Sequence, residues 1–219
     1  MDSFIFGLFA VGYVLLVIWG LRSNKKWTLS SMIYLVAAAL IYDNTVYALG
    51  IAIGEGPILE TLNLLRFWFH ALFTPTLILF SVCAMSGANI KWAQQSWVLL
   101  IGVLFTITAM IVEYTMEIHG LILEPIKEYG ALSYTFAGET SGPPVMILMV
   151  LFALLTAGIM LWWKAKWPWM LVGTAVMAFA SAVPHHIDSN AITNAFELFL
   201  LFTLIWTKKK LDLKEIAAA

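Results

Sequence analysis

Three titratable side chains, Asp43, His70 and Glu197, stand inside stretches of sequence that are otherwise apolar. Ionisable groups buried among apolar residues are costly, and in membrane spans they usually mark a functional site. At a rise of about 1.5 Å per residue, Asp43 lies about 15 Å from the nearer end of its stretch. His70 and Glu197 lie about 10–12 Å from the corresponding ends of theirs. The sequence therefore predicts that the three groups meet at a similar depth.

Other polar residues lie within the same apolar stretches, at spacings that place them on one face of a helix. Arg66 precedes His70 by four residues and Asn194 precedes Glu197 by three, so each pair shares one helix face. Glu113 ends its stretch and is interpreted as a solvated rim residue. The opposite halves of the stretches contain no charged residue. We predict a polar cluster in one half of the bundle, with substrate-binding residues Arg66, Asn44, Tyr47, Trp68, Asn194 and His186.

Acid–base chemistry fits these residue types. A carboxylic acid kept protonated by a low dielectric can donate its proton to a weakly basic epoxide or alkene. We assign Asp43 as general acid and Glu197 as cation stabiliser or base, with His70 and Arg66 orienting the carboxyl groups or binding a polar end of the substrate. Aromatic rings, which stabilise cations through their quadrupole, occur in the same halves, although such residues are also ordinary core residues: Tyr42, Tyr47, Phe67, Trp68, Phe69, Phe73, Phe179, Phe196 and Phe199.

Metal and haem chemistry are the alternatives. His70, His185, His186 and Asp43 are zinc ligands by type, but no histidine pair at i, i+4 fixes a geometry. A b-type haem between His70 and either His185 or His186 is also considered. We predict no metal ligands and no cofactor, with zinc and haem kept open. The seventh apolar stretch contains no lysine, which excludes a retinal Schiff base.

The elements that must position these residues are membrane helices. Of the 219 residues, 62% are hydrophobic and 11% are charged, against about 25% charged in a soluble domain. The net charge of −1 leaves no basic face for nucleic acid. A membrane helix needs about 20 apolar residues. Seven stretches qualify, which predicts an all-α, polytopic seven-helix bundle: 4–21, 28–53, 62–85, 93–114, 145–163, 167–183 and 190–206.

The distribution of basic residues predicts the orientation. Ten of the 12 lie after the first, third, fifth and seventh stretches: Arg22, Lys25, Lys26, Lys91, Lys164, Lys166, Lys208, Lys209, Lys210 and Lys214. The positive-inside rule then places the N-terminus outside and the C-terminus in the cytoplasm. An even number of spans would break this alternation. We expect a multi-pass integral membrane protein, in the plasma (inner) membrane if the source is bacterial.

The connections indicate one domain over residues 1–219. The only long one, 115–144, lies on the outer side and is rich in glycine and proline. Unstructured connections of this length are uncommon and often functional. We consider both a lid over an outward-facing cavity and a plain solvated loop.

The second stretch carries a family resemblance. Residues 25–47, KKWTLSSMIYLVAAALIYDNTVY, resemble the second helix of the small fungal integral-membrane terpene cyclases of meroterpenoid and indole-diterpene pathways. In those seven-helix proteins an aromatic residue precedes a catalytic acid and a tyrosine follows one turn later, as Tyr42, Asp43 and Tyr47 do here. Their last helix holds another acid before a basic tail, where this chain has Glu197. The family's helix-two acid is normally a glutamate after tryptophan, preceded by an asparagine, whereas here an aspartate follows tyrosine.

The sequence thus predicts an integral-membrane enzyme, terpene cyclase-like, that acts on a lipid or isoprenoid by acid–base chemistry in an outer-half cavity. A metal-dependent membrane lipid hydrolase is the rival enzyme. A small-ligand receptor or transporter, or a b-type haem protein, is the non-enzyme alternative. No nucleic-acid partner is expected, and the sequence does not predict an oligomeric state.

Overall fold

The computed structural model of the protein describes residues 2–22, 27–128, 130–137, 144–182 and 190–218. Most of these residues are helical. In chain order the elements are α1 Asp2–Leu21, a 3-10 turn Leu29–Met32 that leads into α2 Ile33–Ile53, α3 Pro57–Phe73, α4 Thr76–Gly87, a 3-10 turn Lys91–Gln94, α5 Ser96–Glu113 with a π-helical turn Tyr114–Ile118, β1 Leu123–Glu128, β2 Ala131–Phe136, α6 Val145–Ala165, α7 Trp169–Ala182 and α8 Asn190–Ala218.

Within the described residues, six helical segments are long and apolar enough to cross a membrane. They are Asp2–Leu21, Leu29–Ile53, Pro57–Gly87, Ser96–Ile118, Val145–Ala165 and Ala191–Leu213. The sixth predicted stretch, 167–183, corresponds to the 14-residue helix α7, which is about 21 Å long at 1.5 Å per residue. The fold is therefore that of a helical, multi-pass membrane bundle, as predicted.

The predicted third span is broken in the middle. Helix α3 ends at Phe73 and α4 begins at Thr76, with Thr74 and Pro75 as a turn between them. Proline lacks an N–H group and its ring clashes with the carbonyl four residues earlier, so the helix cannot continue regularly. The break falls one turn after His70, and it frees α4 to enter the core, where nine of its 12 residues are buried.

The connection 115–144 is not a featureless loop. Beyond the π-helical turn it forms an antiparallel hairpin in which Leu123 pairs with Phe136 and Glu128 with Ala131. The purely helical prediction is incomplete here, because β-structure depends on pairing and on docking that helical periodicity does not reveal. The hairpin packs on α2 and α3: the Gly56 N–H donates to the Tyr134 hydroxyl over 3.1 Å.

The basic segments lie together at the opposite end of the bundle. The Lys209 ammonium donates to the Trp19 carbonyl at the end of α1 over 3.2 Å. The Trp167 indole N–H, after α6, donates to the Thr207 hydroxyl of α8 over 3.0 Å. We call this the basic end, and the end that carries the β1–β2 hairpin the hairpin end.

Candidate functional site

Asp43 and Arg66 form an ion pair between α2 and α3. The connection between the two helices is only Gly54–Gly56, in which Gly54 and Gly56 adopt positive φ angles that favour glycine. Because α3 runs back alongside α2, a residue ten positions before the end of α2 comes level with one nine positions after the start of α3. The Arg66 Nε donates to the Asp43 Oδ1 over 2.6 Å.

The rest of the Arg66 guanidinium is held by three further groups. Its Nη1 donates to the Asn63 Oδ1 and, over 2.9 Å, to the Ser133 Oγ. The Ser133 hydroxyl also contacts the Asn63 Oδ1 at 2.9 Å. The Tyr47 ring centre lies 3.8 Å from the guanidinium carbon, a cation–π contact. With its side chain 9% exposed, Arg66 is fixed in one orientation toward Asp43.

One cavity joins the predicted titratable residues. It has a volume of about 90 Å³ and is lined by Asp43, Arg66, His70 and Glu197. The rest of its wall comes from α2, the turn between α3 and α4, α4, α6, α7 and α8 and is aliphatic apart from one threonine and one methionine: Val36, Ala39, Leu40, Thr74, Leu77, Ile147, Val150, Leu151, Leu154, Met177, Leu200 and Leu201. The structure thus brings Asp43, His70 and Glu197 to one place.

The two carboxyl groups have different surroundings. Asp43 faces the Arg66 guanidinium. In the part of the chain that the structure describes, no side chain hydrogen-bonds or ion-pairs with the Glu197 carboxyl, which borders a mainly aliphatic cavity. An isolated carboxylate charge in such surroundings is far more costly than one beside a cation.

His70 connects the cavity to α5. Its Nδ1 lies 3.3 Å from the Thr74 hydroxyl, and its Nε2 lies 3.8 Å from the Glu113 Oε1. The second distance exceeds that of a direct hydrogen bond. The Glu113 side chain is only 12% exposed, so the interpretation of Glu113 as a solvated rim residue is wrong. The exposure of Glu113 is low because α3 packs against α5 and the π-helical turn that follows it.

Several predicted binding residues lie away from the cavity wall. The Asn44 amide donates to the Asn194 Oδ1 over 2.8 Å, and the Tyr13 hydroxyl donates to the Asn194 carbonyl over 3.3 Å. These contacts tie α1, α2 and α8 together. Trp68 is 36% exposed and packs near Tyr114, at 5.9 Å between ring centres.

Tyr47 contributes to the site through the Arg66 side chain, and its ring also stacks on that of Phe6 at 4.5 Å between centroids. His186, with His185, lies outside the described residues, so the histidine-based zinc and haem alternatives rest partly on residues without a described position. Among the described residues no three His, Cys, Asp or Glu side chains are grouped so that they could hold a metal ion.

Sequence reasoning missed Asn63 and Ser133. Asn63 precedes Arg66 by three residues on the same helix, so helical spacing contained a signal for it. Ser133 has no such signal, because its contact with Arg66 spans 67 residues. Of the described residues, no Phe, Tyr or Trp lines the cavity, so the aromatic residues in these halves of the helices do not border it.

No protein-family model, curated protein or solved structure matches this chain. The resemblance to membrane terpene cyclases therefore depends on the residues quoted above.

Proposed function

We propose that this protein is an integral-membrane enzyme that acts by acid–base chemistry on the reactive end of a lipid or isoprenoid. The observation that carries the proposal is one apolar cavity bordered by two carboxyl groups in unlike electrostatic settings. Pairs of titratable groups whose surroundings differ in this way are typical of acid and base partners.

The geometry favours the reverse of the roles assigned from sequence. Glu197 makes no ion pair with a cation among the described residues, and in mainly aliphatic surroundings the neutral, protonated carboxyl is the cheaper form. Asp43 faces Arg66, which stabilises its charged form. Glu197 is therefore the general acid, and Asp43 is the charged group that stabilises a developing cation or accepts a proton.

The reaction is an acid-catalysed rearrangement. The Glu197 proton forms a bond to an epoxide oxygen or an alkene carbon, which leaves a carboxylate and a cationic substrate. Loss of a proton from a neighbouring carbon to the Glu197 carboxylate, directly or by way of Asp43, then gives a neutral product and restores the acid. Substrate and product are isomers, so no redox partner is needed.

The cavity volume limits which part of the substrate enters. A water molecule needs about 10–15 Å³ of such volume, so a cavity of about 90 Å³ holds an end group of roughly the size of one isoprene unit. The remaining chain lies between helices or in the lipid. The terpene cyclase-like assignment is thus restricted to chemistry at a chain terminus.

We also propose a membrane topology of seven crossings that include α7, with the N-terminus outside and the C-terminus in the cytoplasm. The clustering of Lys209, Lys210 and the tryptophans at one end supports this arrangement. The cavity then lies in the outer half of the bundle, nearer the hairpin end.

The test uses purified protein in lipid nanodiscs, incubated with linear isoprenoid alcohols and their terminal epoxides. Products are separated by gas chromatography and identified by mass spectrometry. We expect an isomer of one substrate from the wild type and from Glu60→Gln, because Glu60 is exposed on the first turn of α3. Glu197→Gln should lower turnover by about 100-fold or more, the contribution typical of general acid catalysis. It should keep the wild-type melting temperature, because no ion pair of the described residues is broken.

Asp43→Asn should also lose turnover, but with reduced thermal stability: removing one partner of a fully buried ion pair costs about 3–5 kcal/mol, and the partly buried Asp43–Arg66 pair should show part of that loss. Wild-type turnover in both Glu197→Gln and Asp43→Asn would contradict the mechanism.

A small-ligand receptor or transporter is the second candidate, and the small cavity volume favours it. In that case saturable binding of a small solute would be lost in Glu197→Gln, and no substrate would be converted by the wild type.

A further inference from the structure

A second cavity lies at the basic end, away from the cavity bordered by Asp43, Arg66, His70 and Glu197, which we call the acid–base cavity. Its volume is about 790 Å³, within the range of about 300–1,000 Å³ typical of ligand pockets. Much of its wall is polar, and the polar residues come from the connection before α2, the end of α4, the segment that leads into α5, the start of α5 and from α8: Thr28, Ser30, Ser86, Asn89, Gln94, Gln95, Ser96, Lys208 and Asp212.

Lys208 gives this cavity an unusual buried cation. Its side chain is only 3% exposed, and lysine is almost never buried to this extent unless it is paired. The Lys208 ammonium donates to both carboxylate oxygens of Asp212, over 3.2 and 2.9 Å. An ammonium group has three N–H donors, and no other acceptor for Lys208 is found among the described residues. One N–H group of the Lys208 ammonium therefore remains available to a ligand.

Further donors converge on the same space. Helix α5 begins at Ser96 in the cavity wall and runs for 18 residues. The first N–H groups of a helix lack intrahelical acceptors, and in α5 the Val98 N–H donates to the Gln95 carbonyl, which leaves those of Ser96 and Trp97. The side chain of the preceding residue, Gln95, makes no capping hydrogen bond. The Thr28 and Ser30 hydroxyls in the same wall are hydrogen-bonded to each other at 2.9 Å, which leaves one hydroxyl proton of the pair for a ligand.

We propose that the cavity at the basic end binds a phosphate ester, with Lys208, the N-terminus of α5 and the neighbouring hydroxyls as donors. Phosphate oxygens suit this set because helix N-termini favour anions and lysine binds phosphate as a point charge. The Asp212 carboxylate repels an anionic ligand and occupies part of the Lys208 ammonium. Ligand binding therefore competes with the Lys208–Asp212 contact. Basic pockets between membrane helices on the cytoplasmic side commonly receive phospholipid head groups. A soluble phosphate ester offers the same chemistry.

The test measures binding to the purified full-length protein in a phosphate-free detergent. The two probes are short-chain phosphatidylglycerol and glycerol phosphate, titrated separately by isothermal calorimetry. We expect saturable binding of at least one probe at one equivalent. Binding of both, or of glycerol phosphate alone, assigns recognition to the phosphate ester itself, and binding of the lipid alone assigns it to a membrane head group.

Three variants decide the role of Lys208. Lys208→Gln should weaken binding at least tenfold. Lys209→Gln is the matched control and should bind as the wild type does, because Lys209 contacts Trp19 instead of the cavity. Asp212→Asn should bind more tightly than the wild type, since it removes the competing carboxylate and leaves the ammonium available.

The alternative is that the Lys208–Asp212 ion pair only stabilises α8, and this alternative predicts different results. Neither probe would then bind, or Lys208→Gln and Lys209→Gln would bind equally, and either outcome overturns the proposal. If Lys208→Gln does not fold, Lys208→Arg and Asp212→Asn replace it: binding kept by the arginine and strengthened by the asparagine supports the site. Unchanged affinity in Asp212→Asn contradicts it.

Discussion

Arg66 is the residue on which the electrostatics of the acid–base cavity depend. It bonds Asp43, Asn63 and Ser133 at once and lies against the Tyr47 ring. Each additional partner restricts the guanidinium and so fixes the position of the Asp43 charge. Residues that do not border the cavity therefore affect its chemistry through Arg66.

Ser133→Ala tests this positioning. A hydrogen bond to a charged group contributes about 1.5–3 kcal/mol, and a loss of about 1.4 kcal/mol in transition-state stabilisation lowers the rate about tenfold. We expect turnover to fall about tenfold, with substrate KM little changed, in steady-state assays on the purified protein.

Thr61→Ala is the control for Ser133→Ala, because the Thr61 hydroxyl is exposed and, among the described residues, donates to the Pro57 carbonyl of its own helix alone. Equal turnover in the two variants would show that Ser133 does not position Arg66.

His70→Gln separates acid–base chemistry from metal catalysis. A glutamine side chain keeps a donor and an acceptor on a neutral group, so a hydrogen-bonding His70 is partly replaceable. We expect reduced but measurable turnover, and a metal content by plasma mass spectrometry equal to that of the wild type. Bound zinc or haem that disappears together with activity would instead favour the hydrolase or haem alternative.

At the level of elements, docking of the β1–β2 hairpin onto α2 brings Ser133 to Arg66. The close approach occurs at Gly50, where an added Cβ would overlap the Leu132 carbonyl oxygen. Backbone atoms on both sides leave little freedom to adjust. The hairpin and the α2–α3 pair therefore form one unit around the guanidinium.

Gly50→Ala should push the hairpin away from α2. Overpacking of this kind costs about 1–3 kcal/mol, and we expect a lower melting temperature and faster hydrogen exchange in residues 131–136. Gly7→Ala is the matched control on a helix, since its Cβ would meet the Ala48 Cβ at an ordinary 3.9 Å. Protection of the hairpin that is identical in the two variants would contradict this role of Gly50.

For the whole molecule, the two ends differ in charge and in structure. Basic side chains and tryptophans cluster at the end where Lys209 meets Trp19. The hairpin end carries the N-terminal residues, since the Ser3 hydroxyl donates to the Gly130 carbonyl over 2.7 Å. The positive-inside rule predicts orientation from this difference in basic charge between the two ends.

Reporter fusions test the proposed topology. A reporter fused after Lys214 should be cytoplasmic, and one inserted near Glu139 should be external, because basic segments next to membrane spans favour the cytoplasmic side. Paired alkaline phosphatase and green fluorescent protein fusions measure both positions. Reporters on the same side would refute seven crossings.

The sequence alone determined the helical, membrane-spanning class and the shared depth of Asp43, His70 and Glu197. Hydrocarbon thickness sets the length of an apolar stretch, and the fixed rise per residue sets the depth of a polar group within it. Both quantities are local, so they can be read along the chain.

Only the tertiary structure decided which carboxyl group pairs with Arg66 and that Ser133 completes the arginine's environment. Depth does not specify the direction in which a side chain leaves its helix, and that direction together with the packing of neighbouring helices selects Asp43 as the partner. Ser133 arrives from a hairpin whose position depends on contacts with α2 some 80 residues earlier in the chain. Such contacts depend on packing between distant segments, which residue spacing does not encode.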